Sequence, residues 1–273
     1  MDTHYAEPYI VSPQHPITIN LIGCGGTGSQ VLTNLARISY ALRMSEDLQH
    51  PGFFVRVFDP DMVSSANIGR QLFSPGEIGQ NKAVTMVTKI NRFFGENWEA
   101  RPEYFSSKGI KKEINRDYRA NITISCVDTA LARMDIKDIL FYYLKINDEY
   151  LRLQPYEKNY YWLDFGNNRD TGQVVLSTID PIKQPDDVYS DFKPSSLPTV
   201  IDLFPNILEA DTEEKQGPSC SLAEALNQQS LFINSTLAQL GCSLLFDLIS
   251  KKKITYHGLF LNLKMMKVNP IDI

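Results

Sequence analysis

The chain is poor in cysteine: Cys24, Cys126, Cys220 and Cys242 are the only four in 273 residues. They stand far apart and form no C-x-x-C pair. That spacing does not support a zinc ribbon, and a disulfide framework suits much shorter secreted chains. A reducing cytoplasm is the expected setting. No run of about 18 apolar residues occurs, so no membrane span is expected. The opening segment MDTHYAEPYIVSPQHP lacks the basic stretch and apolar run of a signal peptide. An excess of positive charge is also missing, because 27 Lys and Arg face 32 Asp and Glu. A general nucleic-acid binder needs the opposite balance to displace counterions. The histidines are His4, His15, His50 and His257, and none stands in a Ser–His–Asp or metal-hydrolase pattern.

What is present is ordinary globular material. Hydrophobic residues make up 43% and charged residues 22%, which excludes disorder throughout. The expectation is one domain over residues 1–273, with an extended N-terminal arm at 1–16 and an irregular crossover loop at 180–219. That loop holds five prolines between Pro181 and Pro205, then an acidic stretch.

ITINLIG (17–23) is a strand run, and SQVLTNLARISYAL (29–42) places Val31, Leu32, Leu35, Ile38 and Leu42 at helical spacing. FFVRVFD (53–59) is the next strand. This β-α-β order implies a parallel sheet with a right-handed crossover. A helix follows at 79–94, a short strand within 98–105, a buried strand at 122–128 and a helix at 130–144. YYWLDFG (160–166) and QVVLSTI (173–179) predict an antiparallel pair. One or two helices fill 221–250, and TYHGLFLNLKMMKV (255–268) reads as a final strand. The fold class is α/β: a Rossmann-like, doubly wound, mostly parallel sheet with helices on both faces and antiparallel strands at its C-terminal side.

Gly23, Gly25 and Gly28 fit G-x-G-x-x-G directly between strand and helix, and Gly26 lies inside the same run. Such glycines let backbone N–H groups approach phosphate oxygens at a helix N-terminus. Asp59 ends the next strand, where a carboxylate can bind ribose hydroxyls. The loop alone fits NAD or FAD. The segment after Asp59 does not, because it carries Asn67, Arg70, Gln71 and Lys82. Cationic side chains in a cluster suit a triphosphate and a departing pyrophosphate. Asp128 ends the 122–128 strand, where open α/β sheets bind ligands. It also fits a helix N-cap for the segment beginning at Thr129.

GCGGTGS, FDPDMVSSANIGRQLF, IGQNKA, ISCVDTALAR and GPSCSL resemble the ThiF/MoeB/ubiquitin-activating-enzyme superfamily, most closely over residues 17–133. SLAEALNQQSLFIN is similar to the ThiF-like component of the PRTRC gene system. The resemblance implies ATP-dependent adenylation of the C-terminal carboxylate of a ubiquitin-like or sulfur-carrier-like protein with a Gly-ending tail. It implies ATP and Mg2+ and a homodimer. By position, residues Gly23 to Gly28 would form the phosphate loop and Asp59 would hold the ribose. Asn67, Arg70 and Lys82 would reach ATP, and Asp128 would hold magnesium. No zinc is expected, because the four-Cys site of many relatives is absent. Two other departures stand out. Residues 1–22 contain no Arg or Lys, although relatives send an N-terminal Arg to the partner's ATP. Gly69 replaces a side chain in N-I-G-R-Q.

Cys220 follows Gly217-Pro218-Ser219 ahead of a helical run. A helix N-terminus favours its thiolate. The resemblance implies that a cysteine in this region can receive the activated carboxyl as a thioester, or form a persulfide adduct. An inert buried cysteine fits the same position. Cys24, Cys126 and Cys242 read as packing residues. Two further function classes remain open: a nicotinamide- or flavin-dependent oxidoreductase, and a non-catalytic scaffold that binds nucleotide or a ubiquitin-like protein.

Overall fold

The structure, a computed structural model, describes residues 2–106, 118–145, 152–186, 192–206 and 229–273. Its centre is an eight-stranded sheet. Apolar alternation builds the parallel part, in which β2 (Ile17–Ile22) lies between β3 (Phe53–Phe58) and β5 (Ile122–Ser125). Outside β3 runs β4 (Glu99–Arg101), and beside β5 runs β6 (Tyr161–Asn167), both parallel to their neighbours. β7 (Thr171–Thr178) returns antiparallel to β6, as the sequence predicts. β9 (Tyr256–Asn262) and β10 (Lys267–Asp272) complete the order β10-β9-β7-β6-β5-β2-β3-β4.

The last two strands correct an expectation. Residues 255–268 do not form one strand but open a hairpin. Asn262 Oδ1 accepts the Met265 N–H at 3.0 Å and Met266 turns with φ 51°.

Strand alternation sorts side chains onto two faces. Ile17, Ile19, Leu21, Val55, Val57, Leu163 and Leu176 share one cluster. It is covered by α2 (Gly26–Met44), α3 (Lys82–Phe94) and α6 (Ile233–Ser250). The other face carries Ile22, Phe58, Trp162 and Val175, packed by α4 (Ala130–Lys145) and by Val200 of the short helix α5 (Val200–Leu203). Helix α3 starts at Lys82 rather than at 79, because Asn81 caps it by accepting the Val84 N–H.

The N-terminal arm is not free. β1 (His4–Tyr5) pairs with β8 (Lys253–Ile254), and α1 (Pro8–Val11) buries Ile10 completely. Pro8 suits the first turn of a helix, where no N–H is needed. Tyr161 Oη accepts the Glu7 N–H at 3.0 Å and lies 3.1 Å from His4 Nε2. His4 Nδ1 lies 2.9 Å from the Pro194 carbonyl. A carbonyl can only accept, so Nδ1 carries the proton and Nε2 accepts from Tyr161. In the irregular 180–219 segment, the described residues include α5; 187–191 and 207–219 lie outside the described residues.

Three buried histidines set a pH response. Burial lowers the pKa of His4, His50 and His257. His50 Nδ1 accepts the Gly52 N–H at 3.0 Å, so its neutral form is the one the fold requires. The unfolded chain therefore binds protons near pH 6.5 that the folded chain refuses, and stability falls as pH drops through that range. We expect the urea midpoint to fall between pH 7.5 and 5.5; a level or rising midpoint would contradict this linkage.

Candidate active site

The strand order reverses between β2 and β5, and the space beyond the C-terminal ends of these strands is the crevice expected of such a sheet. Such reversals are where open α/β sheets bind ligands. The Gly loop enters there from β2. Gly23 turns with φ 87°, and a Cβ on it would lie 2.6 Å from the Cys126 carbonyl oxygen. A Cβ on Gly28 would fall 1.9 Å from the Gly23 carbonyl oxygen. These two glycines are therefore demanded by the fold of the loop itself. Gly25 differs, because a Cβ there would meet only Gln71 at ordinary contact distance. Gly26 lies under Asn234, whose Nδ2 would stand 2.6 Å from a Cβ. Gly25 caps α2 with no side-chain hydrogen bond, and the first turn has no acidic residue. The N–H groups and dipole of that turn favour an anion.

Asp59 ties this loop to the segment after β3. Its Oδ2 accepts the Cys24 N–H at 2.5 Å and its Oδ1 accepts the Asp61 N–H at 2.8 Å. Burial raises its pKa, opposed by those two N–H groups and by Lys82. Lys82 opens α3 and pairs with Asp61 at 2.9 Å. Asn67 is buried, and its Oδ1 accepts the Ser64 N–H at 2.8 Å within its own turn. Gly69 adopts φ 81°, a backbone reason for the missing side chain in N-I-G-R-Q.

Arg70 is partly buried, and its Nη1 donates to Gln229 Oε1 at 2.5 Å. Its Nε is buried with no hydrogen-bond partner among the described residues. Burial lowers the guanidinium pKa, and the nearby Asp128 carboxylate acts against that. Asp128 is exposed just ahead of α4. The helix cap is Thr129, whose Oγ1 accepts the Ala132 N–H at 3.2 Å. The capping role open to Asp128 in the sequence therefore belongs to its neighbour.

The loop, Asp59, Arg70, Lys82 and Asp128 thus lie around one crevice. Cys220 lies outside the described residues. Burial pushes the thiols of Cys24, Cys126 and Cys242 far above their usual pKa, which leaves them poor nucleophiles.

Gln71, part of the cluster after Asp59, has its Oε1 buried without a partner among the described residues. Other neighbours escape sequence reasoning. Thr27 Oγ1 lies 2.9 Å from Asn234 Oδ1 and 3.2 Å from Asn167 Oδ1. Asn234 does carry a signal, being a polar residue in the buried phase of an apolar helix. Beneath Asp128, Arg133 Nε lies 3.0 Å from both Asp164 oxygens, and Nη2 donates to the Phe165 carbonyl at 3.0 Å. Ser125 donates to Asp164 and accepts from Trp162 Nε1. This buried pair has further hydrogen-bond partners, and removing one member would strand the other charge. It fixes the start of α4 to β6.

A Gly loop at the switch point of a mostly parallel sheet, with Arg70, Lys82 and Asp128 near it, defines an α/β protein of Rossmann type. The ThiF family matches residues 15–271, and the chain belongs to that family. Among solved structures the fold is similar to E. coli MccB with MccA-N7isoASN, at 15% identity and a TM-score of 0.54, covering 94% of this chain and 64% of that one. PaaA gives 14% identity and 0.54, again with 94% and 64% covered. E. coli MccB with ATP gives 14% and 0.53, covering 96% of this chain and 64% of that one. At such identity the likeness is one of fold. The chain spans about 64% of the length of these solved chains. No curated protein sequence matches it.

The two kinds of glycine separate on mutation. Gly28→Ala should cost more than about 3 kcal/mol, because backbone must move to admit the methyl. Gly25→Ala should stay within about 1 kcal/mol of the parent, because its φ is −83° and the added methyl meets only Gln71 at contact distance. Urea denaturation of the two variants checks this, and equal losses would contradict it.

Proposed function

We propose that the chain adenylates the C-terminal carboxylate of a polypeptide partner, with ATP as the second substrate. The observation that carries this reading is the pair of buried polar atoms, Arg70 Nε and Gln71 Oε1, that have no hydrogen-bond partner among the described residues, beside a helix N-terminus with no side-chain cap. Buried polar atoms of this kind call for a partner: a phosphate oxygen can accept from Arg70 Nε, and a ribose hydroxyl or the adenine amino group can donate to Gln71 Oε1. Membership of the ThiF family supports the reading. So does the likeness to MccB, which has been crystallised with ATP and with MccA.

In this reading the N–H groups at the start of α2 hold phosphate oxygens over the open face of Gly25. Asp59 receives a ribose hydroxyl on a lone pair left free by its two N–H bonds. Asn67 fixes the turn that presents Arg70, and its carboxamide nitrogen is available to the nucleotide. The partner's carboxylate attacks the α-phosphorus; a new O–P bond forms and the bond to pyrophosphate breaks. A carboxylate is already ionised at neutral pH, so no general base is needed. The enzyme's work is to align the two reactants and to stabilise negative charge as pyrophosphate leaves. Arg70 and Lys82 supply that charge, and Asp61 holds Lys82 in place meanwhile.

Magnesium fits the donor set. Among the described residues no three His, Cys, Asp or Glu gather to cage a metal, but Asp128 offers one hard carboxylate oxygen. Magnesium is commonly held by one or two carboxylates plus substrate phosphates, and here it would neutralise phosphate charge.

The finer reading is a ubiquitin-like or sulfur-carrier-like partner with a Gly-ending tail, for a homodimeric cytoplasmic enzyme of the PRTRC ThiF-like type. Cys220 would then attack the adenylate carbonyl, forming a thioester and releasing AMP. A second reading, nucleotide binding without turnover, is favoured by the N-terminal arm. It lacks Arg and Lys and is packed on its own chain.

Pyrophosphate exchange separates these readings. Asp128→Ala should remove exchange while leaving the melting temperature within a few degrees, because the residue is exposed and caps nothing. Exchange at the parent rate would remove Asp128 from the mechanism. Cys220→Ala should keep exchange and lose any thioester; loss of both would give Cys220 a structural role. ATP binding with no exchange, tested against small Gly-tailed proteins, would favour the scaffold.

A further inference from the structure

Helix α6 begins beside the Gly loop, with one carboxamide, Asn234, in its first turn and another, Gln229, four residues before its first residue Ile233. Thr27 Oγ1 lies 2.9 Å from Asn234 Oδ1. Asn234 Nδ2 donates to Gln229 Oε1 at 3.0 Å. Arg70 Nη1 donates to the same Gln229 oxygen at 2.5 Å. The chain Thr27–Asn234–Gln229–Arg70 therefore joins the Gly loop, the start of α6 and the turn after β3.

Its direction is set by chemistry. A guanidinium can only donate, so Gln229 must face it with oxygen. That oxygen then receives the Asn234 NH2 group as well. Asn234 in turn must present its own oxygen to the Thr27 hydroxyl. Asn234 is 2% exposed and is wedged against Gly26, so it has little freedom to turn.

The uncharged character of Gln229 matters as much as its position. The acidic group that acts on Arg70 among the described residues is the exposed Asp128. Gln229 takes one guanidinium N–H without neutralising the cation. Nε remains buried beside it, with no partner among the described residues. The guanidinium is thus aimed and still hungry for an anion.

We propose that Gln229, held by Asn234 and Thr27, is a positioning residue that orients Arg70 toward the phosphates while leaving its charge unspent. The inference rests on the reading of this crevice as an ATP site. It assigns to the start of α6 a control over triphosphate affinity.

Substitutions at Gln229 test it on the full chain, with ATP and AMP binding measured by calorimetry. Gln229→Glu keeps the shape and both accepted hydrogen bonds and adds only a negative charge. It should weaken ATP by about tenfold or more, the scale of one charge-assisted hydrogen bond diverted from phosphate. AMP, which lacks the outer phosphates, should change by no more than about threefold under that same single-contact logic. The melting temperature should stay level or rise. Gln229→Met removes the acceptor without adding charge and should also weaken ATP more than AMP. A Gln229→Glu protein that binds ATP as tightly as the parent would overturn the proposal. So would equal losses of ATP and AMP in Gln229→Met, which would mean a structural role. If the unmodified chain binds no ATP, it is the proposed function that fails.

Discussion

One buried carboxylate holds the crevice in register. Asp59 accepts the Cys24 N–H from the Gly loop and the Asp61 N–H from the next segment. Burial penalises its charge, and the two N–H groups offset that penalty. Without it, two backbone donors would lose their acceptor, at about 1–3 kcal/mol each where they are shielded from water. Asn81 adds a second tie, donating to the carbonyls of Asp59 and Asp61 at 2.9 and 3.1 Å. Because the same residue caps α3, the position of Lys82 follows directly from that of Asp59.

The other side of the crevice is secured by a different interaction. Arg133 and Asp164 form a buried pair enclosed by Ser125, Trp162 and the Phe165 carbonyl. It links α4 to β6 below the exposed Asp128. The crevice thus has two walls, each tied by a buried carboxylate, with Gly25 between them. The cationic side chains stand on the wall after β3, and the free carboxylate stands on the wall after β5.

Much of this was legible in the sequence, for local reasons. The apolar alternation of ITINLI and FFVRVF, and the helical spacing of Val31 to Leu42, reveal β-α-β without any tertiary information. The Gly loop announces itself because Gly23 and Gly28 have no room for a side chain. The hairpin at 262–267 was hidden, because its turn contains neither Gly nor Pro and relies on Asn262 and a left-handed Met266. The docked arm was hidden because four helical residues and a two-residue strand are too short for periodicity. In the crevice, Asp59, Arg70 and Lys82 were readable from type and order. Asn167, Gln229 and Asn234 were not, because Asn167 and Asn234 reach Thr27, and Gln229 reaches Arg70, from more than 130 positions away. Only the folded chain makes them neighbours.

The docking of the amino terminus has a spatial consequence. His4 and Glu7 meet Tyr161 at the first residue of β6, whereas the Gly loop, Asp59 and Asp128 follow the last residues of their strands. The start of the chain and the mouth of the crevice are therefore separated by a strand's length, about 20 Å at 3.3 Å per residue. A tether, a solid support or a fused protein attached at the front of this polypeptide would sit at the opposite pole, and the doorway would stay clear.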